Sequence, residues 1–171
     1  MNKDTLRTHW DVFLCTFIYS GFCPFAPGTM GALTATLLWA AMSLFLPYAE
    51  LQFAVLGLVV VVTCVSIPSI VRLEKIWGED PSRVVVDEAV GVWITLLAVP
   101  ATDSLSVKYL SAFGAFVLFR LFDIFKPLGI RKMEDVPNGW GVMLDDILSG
   151  MYGSVVLWIA VRLLVSSQWF C

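Results

Sequence analysis

Between Val12 and Val71 the chain carries a single charged residue, Glu50. A water-soluble fold of that length needs charged side chains on the outer face of every helix or strand, and ordinary domains carry ~25% charged residues overall. This stretch has no such face, so its surfaces must be turned toward hydrocarbon or toward one another. The rest of the chain agrees: 15% of the 171 residues are charged and 58% are hydrophobic. A disordered chain is excluded by the same figures. Eleven Lys and Arg against fourteen Asp and Glu give a net charge of −3, so no basic surface invites nucleic acid. The expectation is one domain over residues 1–171, an all-α polytopic membrane bundle.

A membrane helix needs ~20 mainly apolar residues. Met30–Leu46 and Leu51–Ile67 satisfy this, joined by the short Pro47-Tyr48-Ala49-Glu50 connection. Val84–Val99, Val107–Phe125 and Ile147–Val165 follow, with Pro100 and Pro127 closing the third and fourth. Five spans are therefore expected, preceded by a short apolar run, Trp10–Phe22, that reads as an interfacial helix. Lys and Arg fall in alternate loops. One set holds Lys3, Arg7, Arg72, Lys75, Arg83, Lys126, Arg131 and Lys132, while the other holds only Lys108, with an uncharged tail after Arg162. The charged set is assigned to the cytoplasm.

That orientation brings five carboxylates to one depth. Asp87 and Glu88 stand at the cytoplasmic start of the third span, Asp123 at the end of the fourth, and Asp145 and Asp146 at the start of the fifth. An ionised acid inside the bilayer costs about 2.5–3.5 kcal/mol on insertion scales, and grouped acids repel one another. A divalent cation offsets both. An all-oxygen donor set suits Mg²⁺ or Mn²⁺, and no Cys or His cluster competes: His9 is the only histidine, and Cys15, Cys23, Cys64 and Cys171 are scattered. The lone histidine also removes Ser-His-Asp and Cys-His catalysis.

Arg120, Asp123 and Lys126 are three residues apart and share a helix face. Arg120 either pairs with Asp123 or joins Lys126 in holding a phosphate. In Pro24–Leu33, two prolines precede Gly28 and Thr29 at the opening of a helix, where free N–H groups make an anion site; alternatively Thr29 is only the N-cap. Gly91 one turn after Asp87, and Gly150 and Gly153 after Asp146, leave room for close helix packing. The Pro137-Asn138-Gly139-Trp140-Gly141 loop leads the chain to Asp145, with Trp140 suited to the headgroup level.

Four segments together, PFAPGTMGAL (24–33), DPSRVVVDEAVG (80–91), FRLFDIFKP (119–127) and GWGVMLDDILSG (139–150), resemble the signature segments of phosphatidylglycerophosphatase A, in that family's order. Two loop positions depart from its usual pattern, Leu128-Gly129 after Lys126-Pro127, and Asn138-Gly139. The resemblance implies a Mg²⁺-dependent phosphatase of the bacterial inner membrane, active on the cytoplasmic side. Its substrate would be the lipid phosphatidylglycerophosphate, its products phosphatidylglycerol and phosphate. On that footing Asp87, Glu88, Asp145 and Asp146 are expected to ligate one or two Mg²⁺. Asp123 is a further ligand or the general base, and Arg120, Lys126, Gly28 and Thr29 hold the phosphate. Direct attack by water is preferred, because neither a DxDx[TV] nor a CxxxxxR motif is present. The rival class is a small cation or proton transporter, whose acids would be spread through the bilayer depth. A CDP-alcohol phosphotransferase is excluded by the missing DGxxAR run. The oligomeric state is left open.

Overall fold

The computed structural model describes residues 3–78, 81–127, 129–133, 136–137 and 139–167. Expectations that touch Asp80, Leu128, Asn138, Cys171 and the Lys3 side chain lie outside what is described. The regular structure among the described residues is entirely helical: α1 (Lys3–Cys15), α2 (Pro27–Phe45), α3 (Tyr48–Trp77), α4 (Val86–Leu96), α5 (Leu105–Phe125) and α6 (Trp140–Ser167), with 3₁₀ turns at Ser20–Phe22 and Ile130–Lys132. Four of these helices, α2, α3, α5 and α6, are long and apolar enough to cross a membrane.

From α2 onward the helices alternate in direction. At one end the Tyr48 hydroxyl donates to the Val99 carbonyl at 3.2 Å, and Lys108 Nζ donates to the Ser43 carbonyl at 3.4 Å. This ties together the α2–α3 corner, the exit of α4 and the start of α5. The opposite end therefore holds the starts of α2, α4 and α6 and the ends of α3 and α5.

Two expected spans change shape. The second was expected to stop at Ile67, before Pro68, yet α3 runs on to Trp77 with Pro68 inside it. Proline removes one backbone bond, but the turns beyond it are held by tertiary contacts. Ile70 and Leu73 are buried in the core. Arg72 grips Asp11 of α1 in a two-pronged ion pair, Nε–Oδ2 at 2.7 Å and Nη2–Oδ1 at 2.5 Å. The third expected span, Val84–Val99, contains only the 11-residue α4, about 16 Å of helix against a hydrocarbon core of ~30 Å. It lies at the centre of the bundle, in contact with α2, α3, α5 and α6, and nine of its residues are buried. A helix wrapped by other helices needs no lipid-matched length.

Specific contacts hold α4 in place. The Trp93 indole N–H donates to the Ala35 carbonyl of α2 at 3.1 Å, and Phe17 packs edge-on against the Trp93 ring at 5.5 Å. The Val85 N–H donates to the Cys15 carbonyl at 2.8 Å. Against α6 the contact is backbone to backbone: a Cβ on Gly150 would stand 2.3 Å from the Gly91 carbonyl oxygen, so only glycine allows this approach. Thr95 Oγ1 then donates to the Gly150 carbonyl at 3.1 Å.

The expected interfacial run divides. After α1 ends at Cys15 the chain turns through three left-handed residues, Phe17, Ile18 and Tyr19, with φ of 41°, 59° and 64°. A β-branched residue is strained in that region; the anchoring of Phe17 on Trp93 offsets the cost. Trp10, Tyr19, Phe22 and Phe25 remain exposed, as aromatic side chains at a membrane boundary do. The described cysteines are free thiols, with Cys15 buried, Cys23 half-buried and Cys64 exposed. Burial, with the neighbouring Asp11 charge, pushes the Cys15 thiol up to about 12.

Candidate active site

At the end of the bundle where α2, α4 and α6 begin, four helices enclose a cavity of about 500 Å³. The first turn of α4 presents Asp87 and Glu88, the last turns of α5 present Arg120, Asp123 and Lys126, and the second turn of α6 presents Asp145 and Asp146. The α2 start contributes Ala26, Pro27 and Gly28. The expected site residues are thus brought together with one exception. Thr29 is not among the lining residues, nor is it the N-cap of α2; that position belongs to Ala26, in a left-handed conformation with no side-chain cap. Thr29 is the third residue of α2, in its first turn.

Close backbone approach brings the acids together. The Gly91–Gly150 contact pulls α4 against α6 one turn beyond Asp87 and Asp146, so their carboxylates meet across the interface. Gly28 serves α2 similarly: a Cβ there would stand 2.0 Å from Glu88 Oε1 and 3.3 Å from Arg120 Nη1. Removing that atom lets the positive end of α2 sit against Glu88.

The two cations are engaged by acids. Arg120 Nη1 donates to Asp123 Oδ2 and stands 4.0 Å from Glu88 Oε1, and Lys126 Nζ lies 2.5 Å from Asp145 Oδ2. The pairing of Arg120 with Asp123, one of the two readings open from the sequence, is realised. Lys126 caps α5 in the left-handed region with φ 44°, where glycine or asparagine is usual. The strained cap turns the chain so that the ammonium reaches back to α6. No sequence signal marks that cap, nor the places of Ser82, Val84 and Val142 in the cavity wall.

Five carboxylates against two cations leave the wall strongly negative. Asp87, Asp145 and Asp146 are only 7%, 5% and 2% exposed, and Asp87 Oδ1, Glu88 Oε2 and Asp146 Oδ1 are buried without a hydrogen-bond donor. Buried anionic oxygens of this kind call for a positive partner. The donors are all oxygen, the set that hard divalent cations prefer. They form two groups, Asp87–Glu88–Asp146 and Asp123–Asp145–Asp146, each offering oxygens within 4.8 Å of one another. The residues present therefore fit a divalent cation. None of the five acids lies outside this one end, unlike a relay spread along a transport path.

Comparison with known proteins follows the same segments. The family model for phosphatidylglycerophosphatase A matches residues 13–161. A Bacteroides thetaiotaomicron protein with the provisional name phosphatidylinositol-3-phosphatase is 52% identical over 87% of this chain and 92% of its own. Proteins named phosphatidylglycerophosphatase A from Escherichia coli and Haemophilus influenzae are each 37% identical over 81% of this chain, covering 76% and 80% of their own lengths. No solved structure matches.

Proposed function

The chain belongs to the phosphatidylglycerophosphatase A family, and from that membership we propose that it hydrolyses the terminal phosphomonoester of phosphatidylglycerophosphate, giving phosphatidylglycerol and inorganic phosphate. The observation that carries the reading is the meeting of five carboxylates and two cations in one cavity at one end of an apolar bundle. A lipid substrate keeps its acyl chains in the bilayer and offers its headgroup at that depth.

Asp87, Glu88, Asp145 and Asp146 would hold Mg²⁺, which when bound neutralises phosphate charge and lowers the pKa of a water. Arg120 and Lys126 take the non-bridging oxygens, exchanging or sharing their present acid partners. The first-turn N–H groups of α2, beside Gly28, face the same charge. Asp123 receives the proton of the attacking water. Water enters opposite the leaving glycerol oxygen, the P–O ester bond breaks, and that oxygen takes up one proton from solvent to leave as the alcohol, while the proton received from the attacking water returns to solvent.

The protein is proposed to work in the bacterial inner membrane with its site toward the cytoplasm. Arg7, Arg72, Lys75, Arg83, Arg131 and Lys132 belong to the loops and helix ends on the cavity side, and Lys108 and Arg162 to the other, a bias that sets orientation in bacteria. A second headgroup, the 3-phosphate of phosphatidylinositol, is favoured by the name of the relative at 52% identity. Both substrates carry the same reacting group. Phosphate release is to be measured from each lipid in mixed micelles, with and without EDTA. The expected result is faster release from phosphatidylglycerophosphate, abolished by EDTA and by Asp146→Asn. Faster release from the inositol lipid would replace the substrate, and turnover indifferent to EDTA would remove the metal.

A further inference from the structure

Building on the metal-dependent reading above, we propose that the cavity binds two divalent cations and that Asp146 is the ligand they share. The carboxylates fall into two triads, Asp87–Glu88–Asp146 and Asp123–Asp145–Asp146, that have only Asp146 in common. Between them they use all five acids of the cavity wall, so with both ions bound Asp123 serves as a ligand and not as the base. Asp146 is 2% exposed, and its Oδ1 has no hydrogen-bond donor. Its backbone carbonyl is pressed against the Gly91 backbone, which fixes the carboxylate between α4 and α5, where both triads reach it.

Charge balance favours the pair. With all five acids ionised, as ligands to a cation are, and Arg120 and Lys126 counted, the wall carries three uncompensated negative charges. One divalent ion still leaves a net negative cavity, which repels a phosphomonoester dianion. Two make it net positive, which attracts the dianion.

The two positions differ in strength. The Asp123–Asp145–Asp146 triad already has Arg120 on Asp123 and Lys126 on Asp145. The Asp87–Glu88–Asp146 triad has only Arg120, at 4.0 Å from Glu88. The α4-side position is therefore the tight one and the α5-side position the weak one.

Mn²⁺ is the probe, with the purified full chain in phospholipid nanodiscs, equilibrium dialysis with elemental analysis for stoichiometry, and electron paramagnetic resonance for ion–ion coupling. The expected result is two Mn²⁺ per chain in two affinity classes, with an exchange-broadened spectrum at saturation. Asp123→Asn should weaken the weak class, Asp87→Asn the tight class, and Asp146→Asn both, each by ~10-fold or more. A single Mn²⁺ per wild-type chain at saturation, two that stay magnetically isolated, or an Asp146→Asn variant that loses only one class overturns the proposal. The wild-type stoichiometry and coupling decide it even if a variant fails to fold. One ion with EDTA-sensitive turnover overturns only the pair. No Mn²⁺ bound and EDTA-insensitive turnover overturns the metal-dependent reading itself.

Discussion

Arg120 holds Asp123 on its own helix and leans toward Glu88 on α4. Those two engagements make its planar fork hard to replace. Lysine keeps the charge but offers one ammonium where the guanidinium presents several fixed N–H groups. A charge-assisted hydrogen bond contributes about 1.5–3 kcal/mol, so Arg120→Lys should lower kcat/KM by roughly tenfold to a hundredfold while the protein remains folded in detergent. Unchanged turnover, measured by phosphate release, would reduce Arg120 to a structural partner of Asp123. At this scale the site was largely legible. A carboxylate in an apolar run stands out by its cost, so Asp87, Glu88, Asp123, Asp145 and Asp146 could be named from the chain alone. Thr29 could not be judged that way. Whether a first-turn residue faces a cavity depends on where the helix is capped, and the cap is the left-handed Ala26, a backbone state that alanine does not advertise.

Helix pairs set the site as much as the acids do. At the α4–α6 contact, Gly150→Ala would push a methyl into the Gly91 carbonyl. Overpacking of this sort costs about 1–3 kcal/mol, and the helices must part by enough to separate Asp87 from Asp146. A lower melting temperature with lost activity is expected in detergent. A variant with unchanged melting and full activity would show that the approach is not needed. The α1–α3 clasp responds to pH instead. Burial raises the Asp11 carboxyl, but the hydrogen bonds and charge of Arg72 outweigh it and hold the group below its ordinary 3.8. An acid lowered in the folded state stabilises fully above that ordinary value and loses its contribution as pH falls below it. In Arg72→Met only the Ser69 hydroxyl and the Arg7 charge still work against burial, so the acid-side loss of stability should shrink. Thermal unfolding across pH 3–8 checks the flattening; parallel curves for both proteins would refute it. Element existence was readable because long apolar runs have few alternatives. Element ends were not: Pro68 reads as a stop, and the burial of Ile70 and Leu73 with the Arg72–Asp11 pair carries α3 past it.

For the molecule as a whole, the proposed orientation, with the basic loops toward the cytoplasm, can be read directly. A cysteine placed at Lys132 in a chain whose own cysteines are replaced should react with an impermeant maleimide in inverted vesicles and not in intact spheroplasts; the opposite pattern would put the cavity on the outer face. The sequence could not reveal that the third expected span holds a helix too short for the bilayer, since burial by protein and burial by lipid select the same residues. That central α4 carries two acids, Asp87 and Glu88, in its first turn, and insertion scales charge about 2.5–3.5 kcal/mol for an acid deep in a lone segment. During biosynthesis, then, α4 is a poor client for the insertion machinery by itself. It would then be enclosed only as α5 and α6 emerge from the ribosome, and the candidate site and the last stage of topogenesis would be completed in a single event.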